Sequence, residues 1–384
     1  MDLSKIKSSP ITHTLFVLKF IVSGLIANTL EGLLCLLLWP FNKELFRHIH
    51  FFLSQIISLD FVFLLEWWSC TDIYFYVDKK DYDKYYGKEN GIIVLNHFYE
   101  IDWLTMWCIS DRVGIMGNCK AFAKKSLMYI PIIGWSWWFS EYLFLSRDLV
   151  KDKQTIEVNL KKLFEYQNPI WLLLYAEGTR FTPEKHEASM KFARSKGFPE
   201  LKHHLLPRTK GFSLGLPNIR HNLPAVYNFQ VAYKGDLKPS MFNLLNSQKL
   251  EVHVYMERIS IEQIPKEVKD CDNWMNNLFV KKDKLMDSFI KTGDWFKESG
   301  VEPLEKFKSK RKYSSLVNFI FWAVVVLVPL AKLLCNFMIF GKFIFLGVLL
   351  FIFCGLYMIF KWWISVSEIK ASSSEDGKLK NKSK

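Results

Sequence analysis

Long apolar blocks lie at both ends of the chain, with a mixed segment between them, and this division sets the expected architecture. Residues 14–39 form an apolar run broken by Lys19, Asn28 and Glu31. A turn at Pro40-Phe41-Asn42 separates it from a second run, 49–68, which contains Gln55 and Asp60. As helices, both runs are long enough to cross a bilayer. Their internal charges equally suit two helices lying in one leaflet. The first run has no small-x-small cleavage pattern, which argues against a removed signal peptide.

Residues 316–363 are again apolar, interrupted by Lys332 and Lys342. The block is too long for one helix and divides into two spans, 315–334 and 343–360. Lys306, Lys308, Lys310, Arg311 and Lys312 precede it, and Lys370, Lys378, Lys380, Lys382 and Lys384 follow it. Two basic flanks belong on one cytoplasmic side, which requires an even number of crossings. Lys332 and Lys342 then snorkel to the far interface. The last stretch, 364–384, reads as a basic disordered tail.

Between these anchors, 72–265 alternates short β-like runs with helical ones. Residues 73–77, 91–95, 142–145, 171–175, 225–233 and 250–256 read as strands. Residues 155–164 and 185–194 carry helical spacing. The alternation predicts an α/β domain, a mixed sheet flanked by helices. Residues 266–314 read as a polar, charged helical linker with Lys281, Lys282 and Lys284 on a solvated helix. The expected organisation is therefore 1–71 membrane-associated helices, 72–265 catalytic domain, 266–314 linker, 315–363 paired spans and 364–384 tail.

Composition narrows the partners. The chain has 384 residues, 50% hydrophobic and 16% aromatic, with a net charge of +13. A mean hydropathy of +0.06 is too low for a polytopic transporter. The positive charge points to an acidic partner, and the apolar runs favour a lipid surface over nucleic acid. The seven cysteines form no Cys-x-x-Cys pair, so neither a zinc site nor a disulfide framework is expected. The catalytic part is expected to face a reducing compartment.

The chemistry concentrates in two clusters. His97 and Asp102 are five residues apart, which on one α-helix would leave them roughly 140° apart around the axis. They can meet if His97 lies in the loop after the 91–95 strand and Asp102 opens the next helix. A carboxylate on Nδ1 would then leave Nε2 as a general base. With no Gly-x-Ser-x-Gly elbow, and no cysteine with an activating partner, the simplest chemistry is direct activation of a substrate hydroxyl. No third ligand suggests a metal. A structural His–Asp pair would leave the same letters.

Glu177-Gly178-Thr179-Arg180 follows the 171–175 strand at its carboxyl end, where open α/β sheets bind ligands. Gly178 permits a tight turn, Thr179 offers a hydroxyl and Arg180 can grip a phosphate bidentately. An internal Glu–Arg pair closing the loop is the alternative. Arg147 is a second cationic candidate, and Arg208 with Lys210 a third. His203 and His204 read as surface or headgroup-facing. Trp135, Trp137, Trp138 and Phe139 read as packing or interfacial residues.

Taken in order, these residues resemble the lysophospholipid and glycerophosphate acyltransferase family. Its His-x4-Asp motif is matched by His97 and Asp102, its second motif by Arg147, and its Glu-Gly-Thr-Arg motif by Glu177 to Arg180. Its fourth, a Pro-containing apolar strand, is matched loosely at residues 223–227. The phrases at 64–70, 124–135 and 204–212 are most like the eukaryotic 1-acylglycerol-3-phosphate acyltransferases of the gamma/delta type. The resemblance implies a glycerolipid-acyltransferase-like fold in the endoplasmic reticulum membrane, multi-pass, with a cytosolic-facing catalytic domain. It implies acyl transfer from acyl-CoA, as co-substrate with no bound cofactor, to the sn-2 hydroxyl of lysophosphatidic acid, giving phosphatidic acid. His97 would be the base and Asp102 its orienter. Glu177, Gly178, Thr179, Arg180, Arg147 and Lys210 would contact substrate. A lysophospholipid acyltransferase with inositol or choline preference, a thioesterase and an inactive membrane scaffold are the alternatives. Residues 126–145 are apolar enough to be taken for a span, but a lone span there would put His97 and Arg180 on opposite membrane faces. They are read instead as a membrane-facing helix followed by a core strand.

Overall fold

The strand-like runs become one eight-stranded sheet because most are apolar on both faces and need a layer on each side. In the computed structural model, which describes residues 3–146, 149–341 and 343–367, the strands are β1 Asp72–Val77, β2 Gly91–Leu95, β3 Cys119–Lys124, β4 Leu143–Leu145, β5 Trp171–Leu174, β6 Ala225–Lys234, β7 Glu251–Ser260 and β8 Glu305–Lys308. Their order is β4-β3-β5-β2-β6-β7-β1-β8. β4, β3, β5, β2 and β6 run parallel, β7 is antiparallel to β6, and β8 is antiparallel to β1. Gly91 lies beside both Trp171 and Ala225. The carboxyl ends of β2 and β5 therefore emerge together.

Alternation along each strand assigns the layers. Ile93, Leu95, Trp171 and Leu173 share a core with Leu104 and Cys108 of the Asp102–Val113 helix and with Val62 and Leu65 from the N-terminal helices. Ile92, Val94 and Leu172 face Leu160, Leu163 and Phe164 of the Leu149–Phe164 helix, Leu216 of the Lys210–Ile219 helix, and Met275 and Phe279 of the Val268–Thr292 helix. The result is a mixed sheet flanked by helices, as the periodicity predicts.

Two strands escaped the sequence pattern. β3 carries Lys120 and Lys124, and β8, Glu-Lys-Phe-Lys, has a single apolar residue, so neither stands out as a hydrophobic run. β8 and the Val268–Thr292 helix also show that 266–314 supplies a strand and a helix to this sheet. The expected solvated face of that helix needs correction. Lys282 is fully buried, because its position points under the sheet rather than to solvent. The 142–145 core strand is corrected too: β4 is a three-residue edge strand.

At the N-terminus, Pro10–Leu38 is followed by Lys43–Leu53, Gln55–Phe63 and a π-helical turn, Leu64–Trp68. The charges that interrupt these apolar runs pair with one another. Lys19 meets Asp60, which also accepts Asn318 Nδ2 at 3.0 Å from the Ser314–Ile339 helix. Glu31 accepts Asn28 Nδ2 at 2.9 Å and Ser136 Oγ at 2.8 Å and lies 3.2 Å from His50. By length and composition Pro10–Leu38, Lys43–Trp68 and Ser314–Ile339 can each cross a membrane. The last leaves Val317, Phe321 and Val324 more than half exposed, as a lipid-facing helix would. A second C-terminal helix, Phe343–Ser367, follows it. Arg147 and the tail from 368 onward lie outside the described residues.

Candidate active site

The site is built at the carboxyl ends of β2 and β5. After β2, Asn96 pairs its side-chain amide with the Val231 backbone of β6, donating from Nδ2 at 2.9 Å and accepting at Oδ1 at 2.8 Å. That clamp fixes the start of the His97 loop. Asp102 is the first residue of the Asp102–Val113 helix and is buried. Its Oδ2 accepts from Phe98 N at 2.7 Å and Tyr99 N at 2.8 Å, and lies 3.1 Å from His97 Nδ1. An ionised carboxylate can only accept, so His97 carries its proton on Nδ1 and keeps the Nε2 lone pair available. His97 is one-fifth exposed, and Nε2 makes no bond to the described residues.

Two tyrosines frame this dyad. The Tyr175 ring lies 4.4 Å from the imidazole, tilted by 36°. Tyr233 reaches Thr105 Oγ1 at 3.0 Å and lies 3.5 Å from Asp102 Oδ1. Neither was singled out in the sequence: Tyr233 enters the site through the pairing of β6 with β2, and Tyr175 through its place just after β5.

The β5 loop supplies the second half. Glu177 is buried, its Oε1 accepting His97 N at 3.0 Å and its Oε2 accepting Leu205 N at 3.1 Å. Both oxygens are thus engaged by backbone of two loops, so Glu177 acts as a tie inside the protein. Burial pushes its carboxyl above the usual range, while the two N–H donors and the Lys282 ammonium oppose that rise. Gly178 adopts φ +70°. A Cβ there would come within 2.8 Å of Arg208 Cδ and Nε, so the Arg208 side chain covers the turn. Arg208 N donates to Ala176 O at 2.7 Å, and its guanidinium has no carboxylate partner among the described residues. Lys185 Nζ donates to Thr179 Oγ1 at 2.8 Å and to Arg180 O at 3.2 Å. Lys185 and Arg208 thereby bring positive charge against the turn that carries Gly178 and Thr179.

Phe181 N donates to His97 O at 2.9 Å. With the Glu177 bond, this joins the two loops directly, so residues 126–145 do not separate them across a membrane. That segment folds as a short 3-10 turn, the Ile133–Phe139 helix and β4. Trp137 stacks on Tyr142, while Trp135 and Trp138 remain exposed.

Other candidates lie elsewhere. Lys210 is exposed and bonded to Asp272 Oδ2 at 2.6 Å. His204 is corrected from a surface residue to a fully buried one, its Nδ1 3.0 Å from Asp283 Oδ1 and its ring 5.5 Å from Phe98. Burial lowers its pKa, so the ring is neutral near pH 7. His203, on the surface, lies 3.0 Å from Asp287 Oδ1. All seven cysteines are free, and no group of three or more His, Cys, Asp or Glu converges among the described residues.

Known proteins share this arrangement of sequence. The family model of acyltransferases matches residues 76–211, and that of the acyltransferase C-terminus matches residues 243–322. The 1-acyl-sn-glycerol-3-phosphate acyltransferase delta of Homo sapiens is 41% identical over 375 residues, covering 97% of each chain. The gamma protein of Homo sapiens is 39% identical over 328 residues, covering 85% of each. The crystal structure of the 1-acyl-sn-glycerophosphate (LPA) acyltransferase PlsC from Thermotoga maritima covers 76% of this chain and 98% of its own, with 15% identity and a TM-score of 0.43. At 41% identity over nearly its full length, this chain belongs to the 1-acyl-sn-glycerol-3-phosphate acyltransferase family.

Proposed function

We propose that this protein transfers a fatty acyl group from acyl-CoA to the sn-2 hydroxyl of lysophosphatidic acid, forming phosphatidic acid at the endoplasmic reticulum membrane with its catalytic domain facing the cytosol. The observation that carries the reading is the Asp102–His97 dyad, its Nε2 unengaged among the described residues, beside a β5 loop that Lys185 and Arg208 approach. His97 Nε2 takes the proton of the acceptor hydroxyl as that oxygen attacks the thioester carbonyl carbon. The C–S bond then breaks, and the CoA thiolate takes the proton from the imidazolium. Asp102 stabilises the imidazolium in between and keeps the productive tautomer. Arg208 and Arg180 hold the acceptor's phosphate.

The basic run Lys306 to Lys312 ahead of the Ser314–Ile339 helix supports a cytosolic face, as do seven unpaired cysteines. The test is purified protein with acyl-CoA and a panel of lysophospholipids, beside His97→Ala. Diacyl product only with lysophosphatidic acid, lost in the folded variant, is expected. Preference for an inositol or choline headgroup would overturn the substrate, and free fatty acid without diacyl product would indicate a thioesterase. Equal activity in the variant would overturn the mechanism.

A further inference from the structure

Asp72, the first residue of β1, gathers three cations from separate parts of the chain. Lys249 Nζ, just before β7, lies 2.7 Å from its Oδ2, and Lys308 Nζ, at the end of β8, lies 2.8 Å from its Oδ1. Arg311 Nη2 lies 3.3 Å from the same Oδ1 and donates to Thr71 O at 3.0 Å. The two lysine side chains are 57% and 54% exposed. More positive charge borders them. Lys234, at the end of β6, lies 3.7 Å from Glu251, which stands beside Asp72 in β7, and Lys306 Nζ lies 5.0 Å from the Tyr74 ring centre. Strand register places this corner. Asp72 pairs with Glu251, Glu251 with Lys234, and β6 runs parallel to β2, so the corner lies at the carboxyl end of β2, where His97 stands. Three strand spacings, about 14 Å, separate β1 from β2. The chain also ties the corner to the membrane helices. Ser314, which begins the Ser314–Ile339 helix, is three residues after Arg311, and Trp68, which ends the second apolar segment, is four residues before Asp72. Three residues span at most about 10 Å, and the headgroup layer on each side of a bilayer is about 5–7 Å deep. The cations therefore stand at the level of the lipid headgroups.

We infer that Lys249, Lys308 and Arg311 form a docking site for the anionic phospholipid headgroups of the bilayer, at the end of the sheet that carries His97. One carboxylate offsets one positive charge, so Asp72 leaves most of the charge of its three partners unmatched, and those partners repel one another. An ion pair made only to hold β1 in place would need a single cation. Lys308, on an edge strand, would alone be a guard against further strand pairing. Lys249 and Arg311 lie outside that strand and are turned to the same spot. A lipid phosphate supplies what the corner lacks: negative charge, and oxygens that accept from ammonium and guanidinium groups together. Each basic residue near an anionic membrane surface contributes roughly fivefold in affinity. Lipid is favoured over nucleic acid or an acidic protein because a helix able to cross the bilayer begins three residues from Arg311. The inference does not depend on the reaction assigned to His97.

The test is binding of phosphatidylserine with a fluorescent acyl chain to the full-length protein in neutral detergent, read by anisotropy, with phosphatidylcholine of the same chain as the control. The parent is expected to prefer phosphatidylserine, and the preference should weaken at high salt, which screens exposed charges. Lys249→Gln with Lys308→Gln should lower the affinity for phosphatidylserine by at least about tenfold and leave that for phosphatidylcholine alone. Should that double variant not fold, Lys249→Gln by itself, expected to lose roughly fivefold, gives the reading. Asp72→Asn separates docking from a purely structural role. It removes the carboxylate that competes with the lipid phosphate, so phosphatidylserine should bind more tightly. Cations present only to hold Asp72 predict no gain there, and that result would overturn the inference. Equal affinity of the parent for the two lipids, or unchanged phosphatidylserine binding in the lysine variants, would overturn it as well. Arg208→Ala should leave this binding as it is; its loss there would put the lipid beside Gly178, in the acceptor's site, and remove the site at Asp72.

Discussion

Glu177 Oε1 accepts the backbone N–H of His97 at 3.0 Å, so the residue that begins the β5 motif holds the residue that performs the proposed proton transfer. The two motifs of the site are one hydrogen-bonded unit, bridged again by Phe181 N to His97 O at 2.9 Å.

Asp102→Asn should test the orienting role. Asp102 Oδ2 serves three donors at 2.7 to 3.1 Å, and the substitute has one carbonyl oxygen and an NH₂ that cannot accept. We expect kcat to fall on the order of 10²–10⁴-fold. Steady-state kinetics with thermal unfolding as a control measure it; a fall of less than threefold in folded protein would remove Asp102 from the mechanism.

Arg208 covers Gly178, and its guanidinium has no carboxylate partner among the described residues. A charge-assisted bond to phosphate contributes about 1.5–3 kcal/mol. Arg208→Ala should therefore raise KM for lysophosphatidic acid by roughly 10- to 100-fold while leaving KM for acyl-CoA near the parent's. Gly178→Ala should do likewise, since a Cβ there displaces the arginine and strains a turn at φ +70°. Equal increases for both substrates would show a general distortion instead.

Lys120 on β3 is buried, with Nζ donating to Gly117 O at 2.9 Å, and burial pushes its ammonium down to about 8 from 10.5 despite the nearby Glu141. The unfolded chain therefore binds the extra proton between those values. The lysine's stabilising contribution is present above about pH 10.5 and is lost as pH falls through about 8, by up to about 1.4 kcal/mol per pH unit. Lys120→Met should unfold at a higher temperature than the parent at pH 7, and the gap should narrow toward pH 10. A gap independent of pH would contradict the assignment.

Lys19 and Asp60, both buried, join the first two apolar segments, and Asn318 adds the C-terminal helix to the pair. Removing one charge leaves the other buried and alone, a loss of about 3–5 kcal/mol. Lys19→Met should thus be destabilised strongly, and Lys19→Met with Asp60→Leu should recover much of the loss. Thermal unfolding in detergent reads the comparison, and additive losses would show that the two charges do not interact.

Hydropathy alone was enough to place the apolar anchors, because a run of some twenty apolar residues reports its burial without reference to the rest of the chain. The same holds for β2 and β5, whose continuous apolar letters at 91–95 and 171–174 require cover on both faces. The His97–Asp102 spacing is also local: five residues suffice to specify a loop and a helix start. What the letters could not carry are relations between distant positions. β8 has one apolar residue and exists only because β1 offers an edge at Tyr74 to Val77. Lys282 reads as a solvated lysine on an amphipathic helix, since nothing within a few residues announces the carbonyls of Val94 and Phe229. Tyr233 likewise reaches the site through strand order, and Arg208, a cationic candidate in the sequence, is brought to Gly178 by a loop bonded to Ala176. Local patterning thus decided which segments are buried and where the His97–Asp102 pair lies. Tertiary structure decided which buried charges compensate one another, because electrostatic partners are set by distance in space and not by separation along the chain.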